Sequence, residues 1–159
     1  MPAAKPIAEK SIARKVQVLE LPLKTEPGVL GRVFRALREA HVNVDSCWDY
    51  QSKPGHAQCY LIARDTERAK EALFQAGTLP IESTCLWIET DETHEQEKSA
   101  FDRITKAGVN IEATDALTLD GRFGTLIWVS EKDLPSTCDA LEFDTVKPPW
   151  VPGPHRRPN

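Results

Sequence analysis

Ala40-His41-Val42-Asn43-Val44 returns 67 residues later as Ala107-Gly108-Val109-Asn110-Ile111. The same offset sets Leu19 against Leu86, Leu21 against Ile88 and Phe34 against Phe101, with no gap between about Val16 and Asp133. Identical letters are few, so what repeats is a pattern of apolar, turn and polar positions. Self-similarity at a fixed period marks a chain built from two copies of one supersecondary unit.

Outward from the first copy, Lys15 to Leu23 is short, β-rich and ends in the turn cluster Lys24-Thr25-Glu26-Pro27-Gly28, which reads as a strand. Leu30, Val33, Phe34 and Leu37 follow at helical spacing with Arg32, Arg35, Arg38 and Glu39 between them, the apolar stripe of an amphipathic helix. Thr25 is expected in the cap region and Pro27 in the first turn, where a missing N–H costs nothing. Val42, Val44, Trp48 and Tyr50 alternate with Asn43, Asp45, Cys47 and Asp49, a half-buried strand. Pro54-Gly55 turns the chain into a return strand, Ala57 to Ala63. Ala69, Ala72, Leu73 and Ala76 give a second helix, stopped by Gly77.

The second copy follows the same order. Strand Thr84 to Thr90 leads to a helix with Ala100, Phe101 and Ile104 inward, then strand Val109 to Leu119, a turn at Asp120-Gly121 and strand Gly124 to Ser130. Leu134, Cys138 and Leu141 mark a last short helix with Pro135 in its first turn. The fold class is therefore α+β: two ferredoxin-like βαββαβ repeats with antiparallel sheets, expected side by side as a pseudo-dimer. Helices should cover one sheet face and leave the other to water or a partner. The domain reading is a flexible arm over 1–14, a first repeat over 15–82, a second over 83–147 and a Pro-rich tail over 148–159.

At 159 residues the chain has room for one ordinary domain or two very small ones. A net charge of −4 argues against a broad nucleic-acid surface, which rests on Lys and Arg neutralising phosphates. Gly121-Arg122-Phe123-Gly124 only faintly echoes an RNA-stacking strand. No apolar run nears the roughly 20 residues a membrane helix needs, and the start of the chain has no apolar core of a secretory signal. Cys47, Cys59, Cys85 and Cys138 stand far apart with no C-x-x-C, so no metal site is signalled. They read as reduced, mostly buried thiols of a cytoplasmic protein. His94 beside Glu92 and Glu95 reads as a wet turn rather than a metal cluster. No nucleophile elbow, P-loop or defensible Cys–His pair is present, so no enzyme and no cofactor are expected.

The loop Thr25-Glu26-Pro27-Gly28-Val29-Leu30, with a following strand that opens Val42-Asn43-Val44 and its echo at Gly108-Val109-Asn110-Ile111, resembles the ACT domain. That family is a small regulatory module attached to enzymes of amino-acid metabolism; here two copies cover residues 15 to 145 with no catalytic domain between them. The resemblance implies a non-catalytic regulatory module that binds a small amino acid-like ligand. It implies Glu26, Pro27, Gly28, Val29 and Leu30 on one wall and Asn43, Val44 and Asp45 on a strand, with Asn110, Ile111 and Glu112 as the counterpart. Implied partners are the ligand, a second copy in a homodimer and an enzyme of amino-acid metabolism, with neither nucleic acid nor membrane. The physics suits a zwitterion. A glycine lets backbone approach closely, a helix N-terminus offers N–H donors to a carboxylate, and an amide both donates and accepts.

The second loop departs from the pattern. His94 and Glu95 stand where Pro27 and Gly28 stand in the first copy, and Glu97 replaces Leu30. At most one competent loop per chain is expected. The alternative is an interaction or adaptor module of the same fold, using exposed strand edges or the tail and taking no small ligand.

Overall fold

The 67-residue offset holds for every element of the computed structural model, which describes residues 13–90, 95–119 and 121–142. The first repeat supplies β1 (Ala13–Lys24), α1 (Val29–Glu39), β2 (Val44–Lys53), β3 (His56–Ala63) and α2 (Thr66–Gln75). The second supplies β4 (Ile81–Glu89), α3 (Glu95–Lys106), β5 (Ile111–Leu119), β6 (Arg122–Val129) and α4 (Leu134–Ala140), the last entered through a 3₁₀ turn at Glu131–Asp133. The N-terminal arm before residue 13, the loop Asp91–His94 and the tail lie outside the described residues, as do the side chains of Glu95, Gln96 and Glu97.

Two compact units result. One holds residues 15–85 with hairpin-tip residues 118–119 and 121–122; the other holds 86–117, 123–142 and 13–14. In the first unit the strand order is β2-β3-β1, with the start of β4 beside β1. Thr84 Oγ1 donates to Gln17 Oε1 at 3.1 Å there, and Cys85 Sγ to the Val16 carbonyl at 3.7 Å. The first five elements and β4 therefore make the βαββαβ order. In the second unit β4 is followed by β6 and β5. Each repeat thus contributes three strands of its own, and β4 both closes the first pattern and opens the second.

The register fixes what faces the helices. β1 and β3 run antiparallel with Leu19 opposite Leu61, Leu21 opposite Cys59 and Leu23 opposite Ala57. These residues join Val33 and Leu37 of α1 and Ala69 and Leu73 of α2 in one core. Phe34, expected in the α1 stripe, is 41% exposed, so the inward line narrows to Val33 and Leu37, flanked by half-buried Val29 and Leu30. In the second unit Leu86 pairs with Ile127 and packs with Ile88, Ala100, Ile104, Val129 and Cys138.

The face away from the helices is not left bare. Val16, Val18, Ile62 and Cys85 in one unit, and Trp87 and Leu126 in the other, are at most 2% exposed. The cause is in the letters. β1 is apolar on both alternations at its centre, Val16 and Val18 against Leu19 and Leu21, as a strand covered on both faces requires. Toward the β2 end the expected exposure holds, with Tyr50 at 53%, and Glu112, Thr114, Ala116 and Thr118 of β5 are exposed as well.

The signature that revealed the repeat is a helix terminator. After α1, His41 adopts φ 55, donating its N–H to the Arg38 carbonyl, while Val42 N–H reaches the Leu37 carbonyl at 2.9 Å. After α3, Gly108 at φ 71 donates to Thr105 and Val109 to Ile104. Both are Schellman turns, with the apolar residue after the left-handed position held by the last helical turn. α2 ends the same way at Gly77 and starts on Asp65, whose carboxylate accepts from Arg68 N–H at 3.0 Å.

Candidate functional site

The first loop runs from the end of β1 into α1. Thr25 does not cap the helix; its N–H goes to the Gly55 carbonyl at 3.0 Å. The cap is Gly28, at φ 83 and ψ 1, and no side chain caps the helix. Pro27 therefore stands before the helix rather than in its first turn. A left-handed residue here is one that side chains with a Cβ resist. The Gly28 carbonyl accepts from Arg32 N–H, and Val29 N–H donates to the Glu26 carbonyl. The remaining donors of the first turn point outward from an uncapped helix end, where an anion is favoured.

Beside this loop lies a cleft of about 410 Å³ within the first unit. Leu23, Val29 and Val33 form part of its wall, with Lys24, Glu26 and Arg32 at the loop side and Ala76 to Leu79 closing the far side. Arg32 and Glu26 make an exposed ion pair. The cleft thus offers apolar lining, two cations and one carboxylate. Of the residues singled out from sequence, Glu26 and Val29 line it; Pro27, Gly28 and Leu30 belong to the same loop and first turn but are not part of its wall. Arg32, read from sequence as one of a solvated row, and Lys24 are the additions. Their signal was only proximity to the loop.

Asn43, Val44 and Asp45 follow α1 at its other end. An 11-residue helix separates them from the loop by about 16 Å, and they do not line the cleft. Asn43 is exposed and its carbonyl accepts from Arg64 N–H. Val44 packs on the core. Asp45 is the extra residue of a β-bulge: Val44 faces Ala63 and Ser46 already faces Ile62. Its carboxylate takes a 3.0 Å bond from Arg64 Nε, with the two side chains 8% and 16% exposed. Asp45 is thus committed to a local ion pair.

That bulge also changes the phase of β2. Val44 and Cys47 both turn to the core, whereas Trp48 and Tyr50 lie on the opposite face, stacked on Tyr60 with centroids 5.4 and 5.9 Å apart. Unbroken alternation placed Val44, Trp48 and Tyr50 together; the inserted residue separates them. Burial and the hydrogen bond to Tyr50 raise the Tyr60 hydroxyl above its ordinary range.

In the second unit Asn110 is exposed, Ile111 packs on that unit's core and Glu112 is exposed at the start of β5. Glu95, which matches Gly28 at the repeat offset, is the first residue of α3. The left-handed bend of the first loop has no glycine to form it there. Among the described residues no group of three or more His, Cys, Asp or Glu is gathered to hold a metal, and no helix is long and apolar enough to cross a membrane.

No known family profile and no curated protein sequence matches the chain. Solved structures do. Protein BT0572 from Bacteroides thetaiotaomicron aligns at TM-score 0.70 and 17% identity, over 82% of this chain and 88% of that one. The ligand-free regulatory subunit of aspartate kinase from Thermus thermophilus aligns at 0.55 and 20%, over 83% and 94%. The corresponding subunit from Thermus flavus aligns at 0.54 and 19%, over 84% and 95%. At such identities the likeness is one of fold, and it is the fold that the loop and strand motifs implied.

Proposed function

We propose that this chain, having the fold of regulatory ACT-type subunits, is itself a non-catalytic regulatory module that binds a small amino acid-like ligand at the loop of its first repeat. The observation that carries this reading is the left-handed Gly28 at the mouth of an uncapped helix, beside a cleft of about 410 Å³. Helix N–H groups, Lys24 and Arg32 suit a carboxylate, Glu26 suits an ammonium group, and Leu23, Val29 and Val33 suit a short apolar side chain. Asn43, Val44 and Asp45 stand at the other end of α1 and form no part of this cleft. α1 cannot bring its own following strand to its own loop.

A panel of amino acids in a thermal-shift assay tests the reading. At ligand a hundredfold above Kd, binding adds about 2.7 kcal/mol, and a domain of this size moves about 2–4 °C per kcal/mol, so a rise of several degrees is expected. Gly28→Ala should lose most of that rise. No rise with any amino acid at millimolar concentration would leave the adaptor reading in its place.

In the same reading the chain is a homodimer that serves an enzyme of amino-acid metabolism. Support comes from β2, a strand paired on one side only in its unit, whose half-buried Trp48 and exposed Tyr50 both stack on half-buried Tyr60 of β3. Light scattering at micromolar protein should return twice the 17.8 kDa chain mass; a monomer mass would remove this part of the proposal.

A further inference from the structure

Cys47 on β2 and Cys59 on β3 stand with their sulfurs 3.6 Å apart on the core face of the first unit. Both are free thiols. We propose that this pair is an oxidation site, in which Cys47 reacts with a hydroperoxide and Cys59 resolves it to an intramolecular disulfide across the two strands.

Access differs between the two sulfurs in the way such a sequence needs. Cys47 is half-buried and Cys59 is 0% exposed, so the oxidant meets Cys47 first. A hydrogen bond from the Cys59 thiol holds Cys47 below the ordinary thiol range, against burial and the Asp49 carboxylate, which push it up. The same bond, with burial, raises Cys59. When one of the two thiols ionises, this bond therefore favours the charge on the sulfur nearer to solvent. Cys85 and Cys138 are internal controls. Both are buried, and burial raises Cys85, whose thiol points at the Val16 carbonyl.

The chemistry balances with a hydroperoxide as the oxidant. The Cys47 thiolate attacks the terminal peroxide oxygen, the O–O bond breaks, and the departing alkoxide or hydroxide takes a proton and leaves as an alcohol or water. Cys47 is now a sulfenic acid, and the negative charge that held the Cys59 proton is gone. The Cys59 sulfur attacks the Cys47 sulfur, the S–O bond breaks, and hydroxide leaves with the Cys59 proton as water. Two thiols lose two electrons and the peroxide gains them.

The backbone supports closure. Cys47 lies opposite Leu61 and Cys59 opposite Asp49, so the thiols form a diagonal pair. Shortening 3.6 Å to the roughly 2.05 Å of a disulfide therefore requires β2 to move. β2 is paired only with β3 in its unit, and register shifts interrupt it on both sides of Cys47, between Val44 and Ser46 and between Gln51 and Lys53. The short stretch between those shifts is the part of the sheet best able to yield. The first shift carries Asp45, so closure bears on the Arg64 ion pair two residues away.

The decisive measurement is non-reducing proteolysis and mass spectrometry of the full reduced chain during exposure to stoichiometric hydrogen peroxide. The expected product is one linked peptide pair, Cys47 with Cys59, lighter by two hydrogens and restored by dithiothreitol. It should form about tenfold faster than any change at Cys85 or Cys138. Cys59→Ser should stop at a sulfenic acid on Cys47 that dimedone traps, and Cys47→Ser should leave Cys59 unmodified. Alkylation of Cys47 should reach its half-maximal rate below the pH of about 8.5 of an ordinary cysteine, because the thiolate is the reactive form. Equal oxidation of all four cysteines, only intermolecular disulfides, or Cys47 and Cys59 persisting as thiols would each overturn the proposal. The wild-type experiment decides even where a variant fails to fold.

Discussion

Two left-handed residues sit at equivalent places in the repeats and differ by one side chain. His41 at φ 55 does with a Cβ what Gly108 at φ 71 does without one. The left-handed region costs an L-residue about 1–2 kcal/mol, and glycine returns part of that as chain entropy. His41→Gly is therefore expected to stabilise the chain by up to about 1 kcal/mol, read from the urea midpoint at unchanged slope. Gly124 is constrained by space instead. A Cβ there would lie 2.5 Å from the Ile88 carbonyl oxygen and 2.5 Å from the Trp87 ring. Gly124→Ala should cost about 1–3 kcal/mol or more by overpacking, with only partial recovery on adding Trp87→Phe, since the Ile88 oxygen remains. Full tolerance of the alanine would mean that this packing is not the one in solution.

At the scale of elements, the sequence was most legible where periodicity ran unbroken. β1, α1, α2 and the β4 core positions follow from alternation or helical spacing, and the turns at Gly55 and Gly77 follow from glycine placement. β2 was legible as a strand but not in its facing, because one extra residue inverts every side chain beyond it. Nothing in Val44-Asp45-Ser46 announces that insertion; the residue that stabilises it, Arg64, lies beyond the next strand. Arg64→Ala leaves the Asp45 carboxylate almost enclosed with no countercharge, and its Oδ2 has no hydrogen-bond partner even in the native arrangement. A loss of about 2–4 kcal/mol is expected, with a smaller loss when Asp45→Asn is added, because no stranded charge then remains. If the double variant is no more stable than Arg64→Ala alone, the ion pair is not what holds the bulge. The candidate site was legible in part for a similar reason. Its loop announces itself through Pro27-Gly28, whereas Lys24, Arg32 and the α2 end reach the cleft only through packing.

At the scale of the whole chain, a single offset places ten elements, and the exception to the symmetry is informative. Where the first copy has a glycine bend, the second has Glu95 already in helix, so duplication of the frame did not carry duplication of the loop. β4 shows a different consequence of the same descent. Its first half bonds beside β1 and its second half pairs with β6. A cut at either end of residues 81–89 therefore yields no pair of complete fragments: whichever piece inherits the ribbon is whole in outline, and the other is left one plank short. Such a gene can lengthen or diverge at its loops, but its two halves must be inherited together.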